Sequence, residues 1–262
     1  MKKQIVTIGL ILSFDTYAAN VCPQGTLNIS CWDCGATQSD LCTAQLENNK
    51  LTITGSGKMI EYKVNDNLGA QLEYAPWAKS ITEVEISGIE EIQQGTFYDF
   101  DNLQKVTIGS GVGKIHWYTF TNCDNLSDVT FSDSVNAIGN FAFANNTNLK
   151  TLVMPESLFT NGFNGLMWSG IFLGTELENL YCPENHIQEC QTALETSSMS
   201  NEKISEILKP YKKFGDQYFY QGKFYQNSSD IGTPNYIKKR IYTIDEANKI
   251  TGTKNRVSIK YR

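Results

Sequence analysis

The sequence predicts an α/β repeat solenoid of short parallel strands, at a period of about 23 residues. Three observations carry that expectation. Three ungapped segments place Ile, Phe and Leu each 23 residues apart. Each segment ends in an alternation of apolar and polar residues, the mark of a half-buried strand. The charge also changes along the chain: residues 1–200 hold 9 Lys/Arg and 22 Asp/Glu, whereas residues 201–262 hold 13 and 6. A repeat body followed by a different module accounts for all three.

The chain opens with an address. Met1-Lys2-Lys3 is positive, Ile5 to Phe14 is apolar, and Thr16-Tyr17-Ala18-Ala19 supplies small residues for cleavage. Residues 1–19 thus read as a secretory signal peptide of bacterial style. Cys22 invites a lipoprotein reading, but Val21 stands where a small residue is wanted. No later apolar run reaches the length of a spanning helix. A secreted, periplasmic or cell-surface location is expected.

Export decides how the seven Cys are read. In an oxidising compartment, clustered Cys pair rather than bind metal. Residues 20–49 form a Cys-rich N-terminal cap with Cys22, Cys31, Cys34 and Cys42, and Cys182 and Cys190 lie 8 apart. Two bridges are expected in the first cluster, among three possible connectivities, and one between Cys182 and Cys190. Cys123 is left as a free buried thiol. A Zn site on Cys22, Cys31, Cys34 and Cys42 is the sharper alternative, disfavoured by its single CxxC. A redox CxxC at Cys31 and Cys34 lacks a βαβ context.

Residues 50–183 hold the repeats. The segments start at Ile92, Ile115 and Ile138, and reach Phe97, Phe120 and Phe143, then Leu103, Leu126 and Leu149. Val106 and Ile108, Val129 and Phe131, and Leu152 and Met154 point inward along the strands that follow. The six residues from Phe to Leu suit one turn of helix and an Asn/Asp-rich loop. One such unit cannot bury its own apolar face, whereas stacked units share a core. Ile81, Val84 and Ile86 add a strand upstream, and Leu177, Leu180 and Cys182 one downstream. An insertion of about five residues falls around Gly162–Gly170.

These residues resemble the BspA-like, or Treponema pallidum type, leucine-rich repeats. That family repeats Ile-Gly-x-x-Ala-Phe, then x-x-Cys-x-x-Leu, then x-x-Ile-x-Ile-Pro. Ile138-Gly139, Ala142-Phe143, Asn148-Leu149 and Met154-Pro155 follow it, and Cys123 stands at the recurring Cys. Leu51 to Met59 and Ala75-Pro76-Trp77 are similar to the lead-in of these proteins. The resemblance implies a leucine-rich repeat fold. It also implies surface adhesion, or contact with proteins of a host or neighbouring cell.

In such a fold the strands form a parallel sheet. Its outward positions are Glu83 and Glu85, Lys105 and Thr107, Asp128 and Thr130, Thr151 and Val153, and Asn179 and Tyr181. This face is the expected binding surface for a protein or glycan. Five strands at about 4.8 Å spacing span a few hundred Å², below the roughly 800 Å² per partner of a standard interface. Loops, the aromatics Phe159, Phe163, Met167, Trp168 and Phe172, or multivalency must add to it. Filling the end of the core is the plainer role for those aromatics.

Residues 184–212 read as a helical C-cap. Asn201 to Lys209 forms an amphipathic helix ended by Pro210. Residues 213–262 read as a basic C-terminal module. Tyr218 to Tyr225 is a hairpin turning at Gly222, Thr243 and Glu246 form a capping box, and Arg256 to Arg262 is a terminal strand. Lys238-Lys239-Arg240 reads as a solvated face before an anionic-glycan site.

The chemistry that is missing narrows the function. A net charge of −6 and a pI near 5.1 argue against a nucleic-acid partner. Only His116 and His186 occur, and no catalytic or cofactor motif is present. Gly109 to Lys114 imitates a phosphate loop but reads as the inter-repeat turn. His116 falls at the repeat position of Gly139, hence at a surface or edge. Asp99, Asp101 and Asp124 lie in turns, and Glu83/Glu85 and Glu90/Glu91 imitate an acid/base pair only in sequence. No cofactor is expected. The expectation is an exported, non-catalytic interaction protein. The alternatives are a hydrolase with a site in residues 184–262 and a structural envelope component.

Overall fold

The computed structural model describes residues 30–37, 41–62, 75, 77, 80–160, 169–221 and 223–237. Residues 1–19, Cys22, Phe163, Met167, Trp168, Gly222, Lys238-Lys239-Arg240, and the expected capping box at Thr243 and terminal strand at Arg256–Arg262 lie outside the described residues.

The chain enters through β1 (Ser30–Asp33) and β2 (Cys42–Glu47), antiparallel neighbours, and turns into β3 (Lys50–Gly55). The link from β2 to β3 is a two-residue hairpin loop. Asn48 and Asn49 both take left-handed φ, 49° and 64°, as that tight turn requires. From β3 onward the pairing becomes parallel. The ladder runs through β4 (Glu83–Ser87), where Val84 and Ile86 face inward. The pair β5 (Glu91–Ile92) and β6 (Lys105–Ile108) follows, then β7 (Lys114–Ile115) and β8 (Asp128–Phe131). After β9 (Ala137–Ile138) and β10 (Thr151–Val153) comes a short helix, α1 (Ser157–Thr160).

The repeat strands β4, β6 and β8 join one sheet, in the order β1-β2-β3-β4-β6-β8, and β10 begins a further sheet. The odd-numbered repeat strands form a second parallel sheet, β5-β7-β9, with Ile92, Ile115 and Ile138 buried at its inner side. Sequence reading found those Ile residues as repeat markers and missed their sheet. Their runs are only two residues long, too short to show alternation.

The link from Phe to Leu differs from the expected turn of helix. It is a chain of turns in which Asp99, Asn122 and Asn145 take left-handed φ of 65°, 58° and 59°. A left-handed residue stops helical pairing, and Asn and Asp tolerate it because their short polar side chains bond locally. Asn145 Nδ2 donates to Asn122 Oδ1 at 2.9 Å, and Asn122 Nδ2 to the Tyr98 hydroxyl at 3.2 Å. The turns therefore stack from repeat to repeat.

The core between the sheets is continuous. Phe97, Phe120 and Phe143 stack in a buried column, with ring centroids 5.1 and 5.4 Å apart. Burying one such side chain is worth about 1.5–3 kcal/mol. Beyond the repeats, β11 (Asn179–Pro183) pairs with β10, and α2 (Ile187–Glu195) and α3 (Asn201–Ile207) close the end of the core. The Cys182–Cys190 disulfide ties β11 to α2.

Pro210 does not end the helix. The helix stops at Ile207, and Pro210 lies within β12 (Leu208–Phe214), paired in parallel with β11. The strand tolerates it because β13 (Gln217–Tyr220) pairs only with Lys212 to Phe214, leaving Pro210 without a neighbour on that side. The hairpin is completed by β14 (Lys223–Tyr225), with Gln221 at left-handed φ in its turn. The boundary drawn between residues 212 and 213 thus falls inside β12, and the sheet β10-β11-β12-β13-β14 runs across it. The terminal hairpin continues the solenoid sheet instead of standing apart from it.

Candidate ligand-binding face

The outward face of the main sheet is built by register. Lys50 lies opposite Glu83, Glu83 opposite Lys105, and Lys105 opposite Asp128. One row across four parallel strands thus alternates in sign. Lys50 Nζ lies 3.6 Å from Glu83 and 2.8 Å from Glu85, and Lys105 Nζ lies 3.9 Å from Glu83. The hydrogen bond to Glu85 raises the ammonium of Lys50 above its ordinary value. A second row runs Thr52, Glu85, Thr107, Thr130. The face is therefore polar, hydroxyl-bearing and nearly neutral in charge. Exposed pairs of this kind add little to stability.

Eight of the ten expected positions lie at least partly open to solvent: Glu83, Glu85, Lys105, Thr107, Asp128, Thr130, Thr151 and Asn179. Asn179 Nδ2 donates to Thr151 Oγ1 at 3.4 Å. Val153 and Tyr181 are corrections. They are 9% and 5% exposed, inside a second apolar cluster with Tyr211, Tyr218, Tyr220, Tyr225 and Ile231. The cause is the chain after β14, which folds back over this end of the sheet. Gly232 comes so near Tyr181 that a Cβ there would meet its hydroxyl at 2.2 Å. Burial pushes the Tyr181 and Tyr218 phenols up to about 12. Tyr211 donates from its hydroxyl to the Met154 carbonyl at 2.8 Å, and Lys213 pairs with Asp133 at the rim.

Lys50 and Thr52 were missed as face residues. Their signal was present in the alternation Lys50-Leu51-Thr52-Ile53-Thr54, which the eye assigns to a lead-in because no full repeat precedes it. Phe159 and Phe172 are buried, in line with a role in the core.

The acid/base imitation resolves into ion pairs. Glu91 is 13% exposed and touches Lys58 and Lys114 at 3.3 Å and His116 Nε2 at 3.0 Å. Burial raises its carboxyl, but the bonds from His116, Lys114 and Lys58 outweigh this and hold it below the usual carboxylate range. Such a group stays charged and makes a poor general acid. In the region named for a hydrolase site, Cys182 is oxidised to Cys190. His186 lies 2.9 Å from Glu189 and stacks on Phe159. The Zn alternative also fails at two of its ligands, since Cys34 and Cys42 form a disulfide. Among the described residues no cluster of His, Cys, Asp or Glu could hold a metal ion, and no helix is long and apolar enough to cross a membrane.

Residues 73–188 match the model of the BspA type leucine rich repeat region, in six copies. Residues 73–188 thus carry repeats of the BspA type. Three solved structures resemble this chain. A leucine-rich repeat protein from Eubacterium ventriosum is 20% identical over 76% of this chain and 48% of that one, with a TM-score of 0.48. A leucine rich cell surface protein from Faecalibacterium prausnitzii is 19% identical over 74% and 60%, with a TM-score of 0.34. The pneumococcal vaccine antigen PcpA is 16% identical over 69% and 52%, with a TM-score of 0.24. The chain spans about half the length of the first of these. No curated protein matches it.

Proposed function

We propose that this chain is an exported, non-catalytic interaction protein whose outward sheet face binds a protein or glycan at a host or neighbouring cell surface. The observation that carries the reading is the register of polar residues across β3, β4, β6 and β8, exposed where the opposite face is wholly apolar. Membership of the repeat family supports an interaction role, because such repeats mark architecture and present surfaces. Export rests on the leader-like residues 1–19. In the division that goes with this reading, residues 20–49 cap the solenoid of residues 50–183. Residues 184–212 contribute the helical cap of the other end, and the basic terminal stretch of residues 213–262 is joined to it through β12, which crosses that boundary.

The test is a binding screen of the mature protein against matrix proteins, immobilised glycans and intact host cells, repeated with a Thr107→Lys/Thr130→Lys variant. The expected result is binding to at least one target, weakened by about tenfold or more in the variant, with the unfolding midpoint unchanged. Absence of binding, or a variant that binds as the wild type does, refutes the reading.

A further inference from the structure

A different flank, the one carrying β5, β7 and β9, presents three aromatic side chains outside the core. Trp117 is 49% exposed. Its Cδ1 lies over Gly139, where a Cβ would sit only 2.5 Å away. Tyr118, the next residue, stacks on Phe141, with centroids 5.3 Å apart and planes 8° from parallel. Phe141 in turn lies over Gly170, where a Cβ would come within 2.4 Å of the ring. The Trp117 and Tyr118 rings thus lean the same way along the solenoid, each onto the next repeat.

The backbone makes this arrangement unfavourable in itself. Tyr118 and Phe141 both have φ of 57°. The equivalent turn position is Gly95, at 67°, on one side and Gly170, at 65°, on the other. Left-handed backbone costs an L-residue roughly 1–2 kcal/mol, and glycine escapes that cost. The core does not ask for these rings, because Phe97, Phe120 and Phe143 already fill it. Residues held in an unfavourable backbone conformation cluster at functional sites, so these two motivate a search for one.

Polar groups stand beside the rings in fixed positions. Glu91 holds Lys58, Lys114 and His116 at 3.0–3.3 Å. A hollow of about 20 Å³ lies between Lys114, His116, Trp117 and Gly139, room for one water-sized group. Rigid aromatic faces next to a few ordered polar side chains are the composition of a small-ligand site. A protein partner needs roughly 800 Å² per side. Three rings of about 150–250 Å² each, two of them already half-buried, fall short of that. A sugar ring needs what is present: an exposed aromatic face on which its C–H bonds can stack, and hydrogen-bonding side chains at its rim.

We propose that Trp117, laid over Gly139 and next in the chain to the Tyr118–Phe141 stack, forms the stacking platform of a saccharide-binding site, with Lys114 and His116 bonding to hydroxyl groups at the edge of the pyranose ring. This site is independent of the sheet-face reading, since it lies on the other parallel sheet.

The test is affinity electrophoresis of the mature chain through gels containing mixed-linkage β-glucan, xylan, mannan, chitin oligosaccharides or hyaluronan. It is joined to oxidative footprinting with and without the retarding saccharide. At least one gel should slow the protein. Trp117→Ala should raise the dissociation constant by about tenfold or more, Trp117→Phe should retain most of the affinity, and Glu206→Gln, exposed on α3 away from both faces, should leave it unchanged. Oxidation of Trp117 should fall when saccharide is bound, a readout on the wild-type chain that does not depend on how the alanine variant folds. Absence of retardation in every gel overturns the proposal. So does an alanine variant that migrates as wild type, or a footprint confined to the Lys50–Thr130 face.

Discussion

Asn146 is the residue on which the repeat stacking can be tested most directly. It is fully buried at the position that Cys123 occupies one repeat earlier. Its Oδ1 accepts the Cys123 N–H at 2.8 Å, and its Nδ2 donates to the carbonyls of Phe120 and Phe143, both at 2.9 Å. Asn146→Ala strands one N–H and two carbonyls away from solvent. At about 1–3 kcal/mol for each unsatisfied buried group, with a water entering the vacated space, the loss should be about 3 kcal/mol or more. That is a large share of the 5–15 kcal/mol on which a typical domain rests. The neighbouring repeat suggests a partial rescue. Cys123 Sγ donates to the Phe97 carbonyl at 3.1 Å, the same reach of 26 residues that Asn146 makes to Phe120. Asn146→Cys should therefore regain about 1 kcal/mol over the alanine variant. Urea unfolding followed by far-ultraviolet circular dichroism gives both numbers. Both the midpoint and the slope must be compared, because repeat arrays can lose cooperativity. An alanine variant within 1 kcal/mol of wild type, at unchanged slope, would show that this ladder is not what holds the repeats in register.

Three further outcomes follow from the same structure. Replacing Cys182 and Cys190 by Ala opens a short loop and should cost about 2.5 kcal/mol by the loop-entropy relation, read as a lowered unfolding midpoint. Cys123 should resist thiol reagents in the native protein and react at once in urea, because its sulfur is fully buried and burial pushes its thiol far up. Rapid labelling under native conditions would contradict that placement. For Glu91, a carboxyl held below its ordinary value stabilises the fold above the unfolded pKa of about 4.3, and that contribution is lost as pH falls through the folded one. Glu91→Gln should therefore flatten the acid limb of a stability–pH curve below about pH 5 while lowering stability at neutral pH. A variant whose acid limb matches the wild type would refute the pairing.

The fold was legible where burial and periodicity agree. Val106, Ile108, Leu152 and Leu180 show the alternation of a strand against one core, and all are buried as that alternation requires. What escaped was decided by contacts distant in sequence. Val153 and Tyr181 occupy outward positions by alternation. They are buried because residues beyond β14 return over them, and no local pattern at Val153 can signal a cover that comes from Ile231. Pro210 reads as a helix stop in isolation, and becomes a strand residue because β11 offers a parallel edge in register. The candidate face shows the same division. Its polar residues could be named one strand at a time, whereas the alternation of sign from Lys50 to Asp128 exists only once the strands are aligned.

The two ends of the sheet explain why that face is bounded. A parallel ladder leaves open edges that invite pairing with another chain. Here the first edge of the main sheet, at β3, is covered by the antiparallel strands β2 and β1, and in the sheet that β10 begins the edge of β11 and β12 is covered by β13 and β14. The second cover does more than pair the edge. Its tyrosines and the returning chain take over the outward side of β10 and β11, turning exposed sheet into core. The open polar surface is thereby confined to β3, β4, β6 and β8 and its fringe at Thr151 and Asn179. Its charges are nearly matched within the face, so in the binding role proposed for it long-range attraction would contribute little, and selectivity would come from hydrogen bonding and shape. A small and nearly neutral surface of this kind gains strength mainly through several copies acting together or through a second contact elsewhere on the molecule. The aromatic flank at Trp117 lies on the other parallel sheet, β5-β7-β9, and the saccharide site proposed there would supply such a second contact.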